Sequence, residues 1–194
     1  ADTTTLLRAV TSFERAARID PDHAPSLSGM AHACRQMYRA TKDTTWLDRG
    51  ESAARRAISL QDGLADAHKR LAFILWERGD RNSAAREMAK AVALDPLDDV
   101  ALGNLGHYYR DSGRPEEEER VYREAADARP HHWFPRWCLA IRVYYEQGRL
   151  EEARAALEQV IVRAPHLYKG YQSLGGIQVL QGEYGAAATS LEKS

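Results

Sequence analysis

An all-α solenoid of helix hairpins, wound as a right-handed superhelix, is the fold this chain predicts. Three observations predict it. Glycines at 79, 113, 148 and 182 are separated by 34, 35 and 34 residues. Pro21, Pro96, Pro130 and Pro165 stand between them, and the 75 residues from Pro21 to Pro96 hold one ordinary period and one that is seven residues longer. Apolar residues between these marks recur at helical spacing, and no stretch shows the period-two alternation of a strand. Repeats of this length are hairpins that bury their apolar faces only by stacking on their neighbours.

The helices follow in order. Residues 3–19 read as a lone second helix packing through Ala9, Phe13 and Ala16. Its other side leaves Leu6, Leu7 and Val10 where a partner helix is missing. An unusually long first helix spans 24–40, and after the turn KDTTW the chain returns over 45–60. Hairpins then pair 65–78 with 81–93, 99–112 with 115–127, 133–147 with 150–162, and 168–181 with 184–193, the last cut short and leaving Leu191 uncovered. The corresponding repeats are 1–23 (a half-repeat), 24–64, 65–98, 99–133, 134–167 and 168–194, in one domain. Each glycine suits the left-handed residue that closes a helix. Each proline stops the helix before it. Asp80 is a natural N-cap. Ala72, Gly106 and Gly175 sit where paired helices approach closely, with Leu71, Leu105 and Leu174 filling the space beside them. Two departures stand out: Asp62 replaces the expected proline, and one extra residue lies near His131–His132.

The bulk numbers narrow the function. A chain of 194 residues, 44% hydrophobic and 28% charged, is long enough for a sizeable core. Its 27 basic and 28 acidic residues give a formal net charge of −1. That balance excludes nucleic acid as the main partner, because phosphate binding needs a cationic excess. No apolar run reaches the roughly 18–20 residues that cross a bilayer, and ADTTTLLRAV is not a signal peptide. The missing initiator Met points to a piece of something longer. Cys34 and Cys138 lack CxxC spacing and read as small packing residues in a reducing, cytoplasmic compartment.

A search for chemistry finds none. His131 and His132, with His23 and His166 in comparable turns, lack the i+3 or i+4 partners of a zinc site. Glu116 to Glu119 open a helix after Pro115, where their charge suits the dipole, and read as a solvated first turn rather than a cation site. Gly175–Gly176 lies inside a helix and reads as close packing, not a phosphate loop. The expectation is therefore no catalysis, no cofactor and no metal.

The best copy of the pattern carries Leu102, Leu105, Gly106 and Tyr109, then Glu118, Tyr122 and Ala125, then Pro130. The preceding copy carries His68, Leu71, Ala72 and Leu75, then Ala84, Met88, Ala91 and Pro96. The last two carry Trp137, Ala140, Ile141 and Tyr144, and Tyr171, Leu174, Gly175 and Gln178. In these residues the chain resembles the tetratricopeptide repeat (TPR) family, whose motif they follow over essentially the whole length. The resemblance implies a concave surface lined by the first helices at five positions of each repeat. Transferred position by position, it presents Ser28, His32, Arg35 and Gln36; Asp66, Lys69, Phe73, Trp76 and Glu77; Val100, His107, Arg110 and Asp111; Pro135, Cys138, Arg142, Tyr145 and Glu146; and Lys169, Gln172 and Val179.

Aromatic side chains and arginine dominate binding energy at interfaces. Phe73 and Trp76 share a helix face, so Trp76 reads either as an anchor for a peptide or as packing against a neighbour. Lys69, Arg35, Arg110 and Arg142 would steer acidic groups. Lys69 and Asn104 match two positions of the clamp that some TPR proteins close on a C-terminal carboxylate, but Phe73, Pro135 and Leu139 replace its other residues, so chaperone-tail binding is not expected. Asn104 is expected to bond the backbone of a ligand or a neighbouring turn. The long second repeat resembles a variant in TPR tails of bacterial kinases and nucleotide cyclases. The functional expectation is a scaffold for a protein or peptide, with the docking arm of a signalling enzyme and weak self-association through exposed ends as alternatives.

Overall fold

The computed structural model describes residues 2–194. Helices α1 (Thr3–Ile19), α2 (Ala24–Thr41), α3 (Thr45–Leu60), α4 (Ala65–Glu77), α5 (Arg81–Leu94) and α6 (Asp99–Asp111) are followed by α7 (Pro115–Ala128), α8 (Trp133–Cys138), α9 (Leu150–Arg163), α10 (Tyr168–Leu180) and α11 (Tyr184–Glu192). Among the described residues there is no strand. The contacts divide the chain into two compact units, one closing at Tyr108 and one running Tyr109–Ser194. Each is built of antiparallel helix hairpins, the all-α solenoid class that the periodicity predicts.

Four first helices end in the same way. Gly79, Gly113, Gly148 and Gly182 all have φ between 70° and 83°. The next residue's N–H returns to a carbonyl five positions back: Asp80 to Leu75, Arg114 to Tyr109, Arg149 to Tyr144 and Glu183 to Gln178, at 2.8–3.0 Å. This six-to-one closure satisfies carbonyls that the helix end would leave open. The following helix then starts at once, with the Asp80 carboxylate accepting from the Ser83 N–H as its cap. The long second repeat has Lys42 in the left-handed position instead (φ 60°), bonded to the Tyr38 carbonyl at 2.7 Å.

In the N-terminal unit, α1 packs on α2, α2 on α3 and α3 on α4. Val10, Ala33, Cys34 and Met37 form one buried cluster, with Leu6, Ala9 and Phe13 against it. This corrects one expectation: Val10 is 1% exposed rather than free at the end of the array. The packing face of α1 runs through Leu6, Val10, Phe13 and Ala17, a turn-by-turn row toward α2, and leaves Leu7 outside. Burial pushes the Cys34 thiol up to about 11, so it stays protonated and inert. The turn that lacks a proline is held by the buried His68, whose Nε2 lies 2.9 Å from the Asp62 carbonyl and whose Nδ1 lies 2.7 Å from Glu87.

In the C-terminal unit, α8 runs on into a π-helical stretch, Leu139–Tyr144, with Tyr145 N–H bonded to the Ala140 carbonyl five residues back at 2.9 Å. This stretch absorbs the extra residue expected near His131–His132. The turns are equal: α6, α8 and α10 each begin three residues after Pro96, Pro130 and Pro165. The helices differ, since Trp133 lies 15 residues before Gly148, while Asp99 and Tyr168 lie 14 before Gly113 and Gly182. With both ends pinned, the surplus residue fits only inside the helix, as one wide turn. Buried positions locate it: Leu139 and Ala140 correspond to Leu174 and Gly175, whereas Val143 and Tyr144 correspond, one residue late, to Ile177 and Gln178.

The glycines test the packing. A Cβ on Gly175 would lie 2.8 Å from Leu191 Cγ, as expected of a close contact, whereas one on Gly176 would meet nothing within 4 Å. Gly50 on α3 is enclosed from several sides: a Cβ there would meet Ile74 Cδ1 at 3.0 Å, Cys34 Cβ at 3.1 Å and the Ala31 carbonyl at 3.3 Å. Gly50→Leu is therefore expected to destabilise the protein by about 1–3 kcal/mol through overpacking. The readout is the urea midpoint at constant m-value.

Candidate functional site

The repeat consumes its small and apolar positions in packing and leaves one face of each first helix free of that duty. In the N-terminal unit that face is tied together across α2, α4 and α6. Arg35 on α2 pairs with Glu77 on α4 at 2.8 Å, and its guanidinium carbon lies 4.6 Å over the Phe73 ring. Ser28 donates to Asp66 at 2.7 Å, and Arg70 pairs with Asp66 at 2.9 Å while lying 3.0 Å from His32 Nδ1. Lys69 reaches both Asp98 and Asp66. Burial, with the Arg70 and Arg35 charges, holds His32 below the ordinary imidazole range. Burial would raise Asp66 and Asp98, but their hydrogen bonds outweigh it and hold both below the ordinary carboxylate range.

His32, Arg35, Lys69, Phe73 and Trp76, picked out by sequence, therefore gather on one surface. The cations among them already have carboxylate partners, so this surface is polar and alternating rather than a free basic patch. Trp76 resolves toward packing: it stacks on Tyr108 at 4.0 Å and 3°, with the Arg81 guanidinium carbon 4.3 Å from its centroid and His107 5.4 Å away. Asn104 donates to the Val100 carbonyl of its own helix at 2.6 Å, because one turn back is the nearest acceptor its short side chain meets.

In the C-terminal unit, Arg110 Nη1 donates to both carboxylate oxygens of Glu146, 2.8 Å to each. The register shift in α8 changes which residues face outward. Pro135 and Cys138, expected on the groove, are buried packing residues. Phe134 and Trp137 take their places, stacked at 6.4 Å and 23°, with the Trp137 indole N–H 3.3 Å from Ser173 Oγ on α10. Beyond them Ile141 and Tyr145, with Ser173, Gly176, Ile177 and Leu180 of α10, line an apolar cavity of about 290 Å³. Arg142, Lys169 and Gln172 lie on the same two helices. Sequence reasoning missed Phe134, Trp137 and Ile141 because a wide turn inside a helix leaves no local mark. The only signal was the 35-residue interval between Gly113 and Gly148.

Glu118 is a second departure from expectation. It stands at the position that other repeats give to the buried Ala84, Ala153 and Ala187, and it is 2% exposed, not part of a solvated turn. Its Oε1 has no hydrogen-bond partner, and Arg110 Nη1 lies 4.0 Å away. Burial pushes this carboxyl up to about 7, opposed by the Arg110 and Arg142 charges and reinforced by Glu146 and Asp111.

A family model described as tetratricopeptide repeat matches residues 70–132 and 138–194, more than half of the chain. The chain belongs to the tetratricopeptide repeat family. The break between the matched stretches falls at the start of α8. No curated protein sequence matches the chain. Among solved structures of similar fold, BtubC (BKLC) from P. vanneervenii is 16% identical with a TM-score of 0.69, covering 98% of this chain and 87% of its own. MamA 41-end from Desulfovibrio magneticus RS-1 is 17% identical with a TM-score of 0.58, covering 84% and 92%. YrrB, described as a TPR protein with an unusual peptide-binding site, is 17% identical with a TM-score of 0.57, covering 95% and 91%. At these identities the likeness is one of fold. The TPR fold is that of a protein-interaction scaffold, and no helix among the described residues is long and apolar enough to cross a membrane.

The Glu118 carboxyl gives a pH test of the site. Its proton is held more tightly in the folded than in the unfolded chain. The stability it contributes is full below the unfolded pKa of about 4.5 and is lost as pH rises through about 7. Between about pH 4 and about pH 8, the stability difference between Glu118→Gln and the unmodified protein is expected to move in the variant's favour by on the order of 3 kcal/mol. Urea melts across that range are the readout, and parallel pH profiles would refute the assignment.

Proposed function

We infer that this TPR array is a scaffold that takes a peptide or protein segment against the outward faces of its first helices and carries out no chemistry itself. The observation that carries this reading is the tied side-chain surface of α2, α4 and α6. There, Arg35, Phe73, Glu77, Asp66 and Lys69 hold one another in place across helices. Side chains ordered before binding lose little entropy when a segment docks, so each contact returns more of its energy. The surface offers alternating donors and acceptors, which suits the backbone and polar side chains of an extended segment. The peptide-binding site described for YrrB is a precedent on a similar fold.

Exposed apolar side chains on the outermost helices support self-association as a second reading: Leu7 on α1 is 49% exposed, and Tyr184 and Leu191 on α11 are 71% and 45% exposed. Light scattering over a concentration series tests it, a constant mass counting against it. The two buried cysteines suit a cytoplasmic setting, and the long second repeat suits attachment to a signalling enzyme.

The groove reading is tested with peptides selected from a display library against the whole chain. Arg35→Ala with Lys69→Ala, or Lys169→Ala with Gln172→Ala, is expected to weaken a selected peptide by about tenfold, roughly 1.4 kcal/mol, measured where circular dichroism shows each variant fully folded. Peptides that ignore both pairs, but are lost on substituting exposed second-helix residues such as Arg55 and Glu124, would refute it.

A further inference from the structure

The two units present their first helices differently. In the N-terminal unit the cations are paired and the aromatics engaged. In the C-terminal unit an apolar cavity stands open between two helices that also carry Arg142 and Lys169. Building on the groove reading, we propose that the cavity between the π-helical stretch and α10 is an anchor site for an acidic segment that carries a large apolar side chain.

The cavity exists because two features coincide. The wide turn at Leu139–Tyr144 advances Tyr145 by one residue relative to the repeat, so that Ile141 and Tyr145 border the cavity from one side. Opposite them, Gly176 has no Cβ, and one placed there would meet nothing within 4 Å, so the space is real rather than a packing contact. The remaining wall is Ser173, Ile177 and Leu180. About 290 Å³ is room for one large aliphatic or aromatic side chain. Tyr145 is 43% exposed and Leu180 57%, apolar surface that a covering side chain would remove from water.

Charge selects the flank. Arg142, next to Ile141, and Lys169, one turn before Ser173, make no hydrogen bond or ion pair among the described residues. Glu146, the nearby carboxylate one residue past Tyr145, accepts from Arg110 Nη1 with both of its oxygens. The charge left without an ion pair on the two helices that border the cavity is therefore positive, Arg142 bearing also on the buried Glu118 carboxyl. A segment with carboxylates beside its anchor would meet complementary charge, whereas a basic one would meet repulsion.

The test uses the 194-residue chain and a fluorescein-labelled amphipathic peptide with leucine and tryptophan on one face and glutamate on the other. Two comparison peptides carry lysine in place of glutamate, or alanine in place of the apolar residues. Anisotropy titrations are expected to give saturable binding of the acidic peptide and at least about tenfold weaker binding of both comparison peptides. Gly176→Leu fills the cavity while improving helix propensity, and is expected to weaken the acidic peptide at least about tenfold with a melting temperature that does not fall. Arg142→Gln with Lys169→Gln is expected to remove the preference for glutamate over lysine. Absence of saturable binding, equal binding of the lysine peptide, or full affinity in Gly176→Leu each overturns the proposal. If Gly176→Leu has no effect but Arg35→Ala with Lys69→Ala abolishes binding, the anchor site is wrong and the groove reading stands. If no first-helix substitution matters, both are wrong.

Discussion

The structure depends on how its first helices end. A glycine in the left-handed conformation and the hydrogen bond that closes around it fix the angle at which the chain turns back. Both carbonyl partners belong to the last turn of the helix, so the closure leaves no slack. At the other end, a three-residue turn after each proline is equally fixed. A first helix is thus held at a set length between two rigid joints. The recurrent alanines and glycines then let neighbouring helices come close, and the larger leucines and tyrosines fill the space beside them. Whatever the packing does not need is displayed on one face of each first helix.

The same constraint explains the irregular fifth repeat. A residue added to a loop is absorbed at little expense. A residue added between two fixed joints must widen the helix itself. The result is a π-helical turn at Leu139–Tyr144 that keeps Leu139 and Ala140 in their packing places and delivers Tyr144 one residue late to its own. The Arg149 guanidinium over Tyr144 at 4.4 Å repeats the arrangement of Arg114 over Tyr109 at 4.8 Å, so the hairpin closes normally beyond the insertion. Glu118, where neighbouring repeats have alanine, lies within the electrostatic reach of Arg142 on that widened turn. These two irregularities thus occur together in the C-terminal unit.

Much of this was legible in the sequence, and the limits are physical. Gly79, Gly113, Gly148 and Gly182 announced the helix ends because backbone conformation at a turn restricts residue type. Asp80 announced a cap for the same reason. Side-chain pairing across helices was not legible: nothing near Arg35 or Lys69 reveals Glu77 or Asp98, which are brought close only by stacking. Trp76 could be narrowed to two roles but not assigned, since its partner Tyr108 lies in the next repeat. Val10 was misplaced because a helix at the end of an array has several faces of similar polarity. The register of α8 was misread because an extra residue changes an interval without saying where it sits. His68 repairs the turn at Asp62 through a contact with the backbone that no motif encodes.

The central claim is that register, because it sets which residues of α8 serve the core and which face outward. Cys138 reports on it directly. In the register of an uninterrupted helix its thiol would face the groove; in the structure it is 0% exposed, as is Cys34. The decisive measurement is the reaction of the native protein with a thiol reagent under non-denaturing conditions. The account predicts that both cysteines are protected and become reactive only on unfolding. Rapid labelling of the folded protein, mapped to Cys138 by peptide mass analysis, would contradict it.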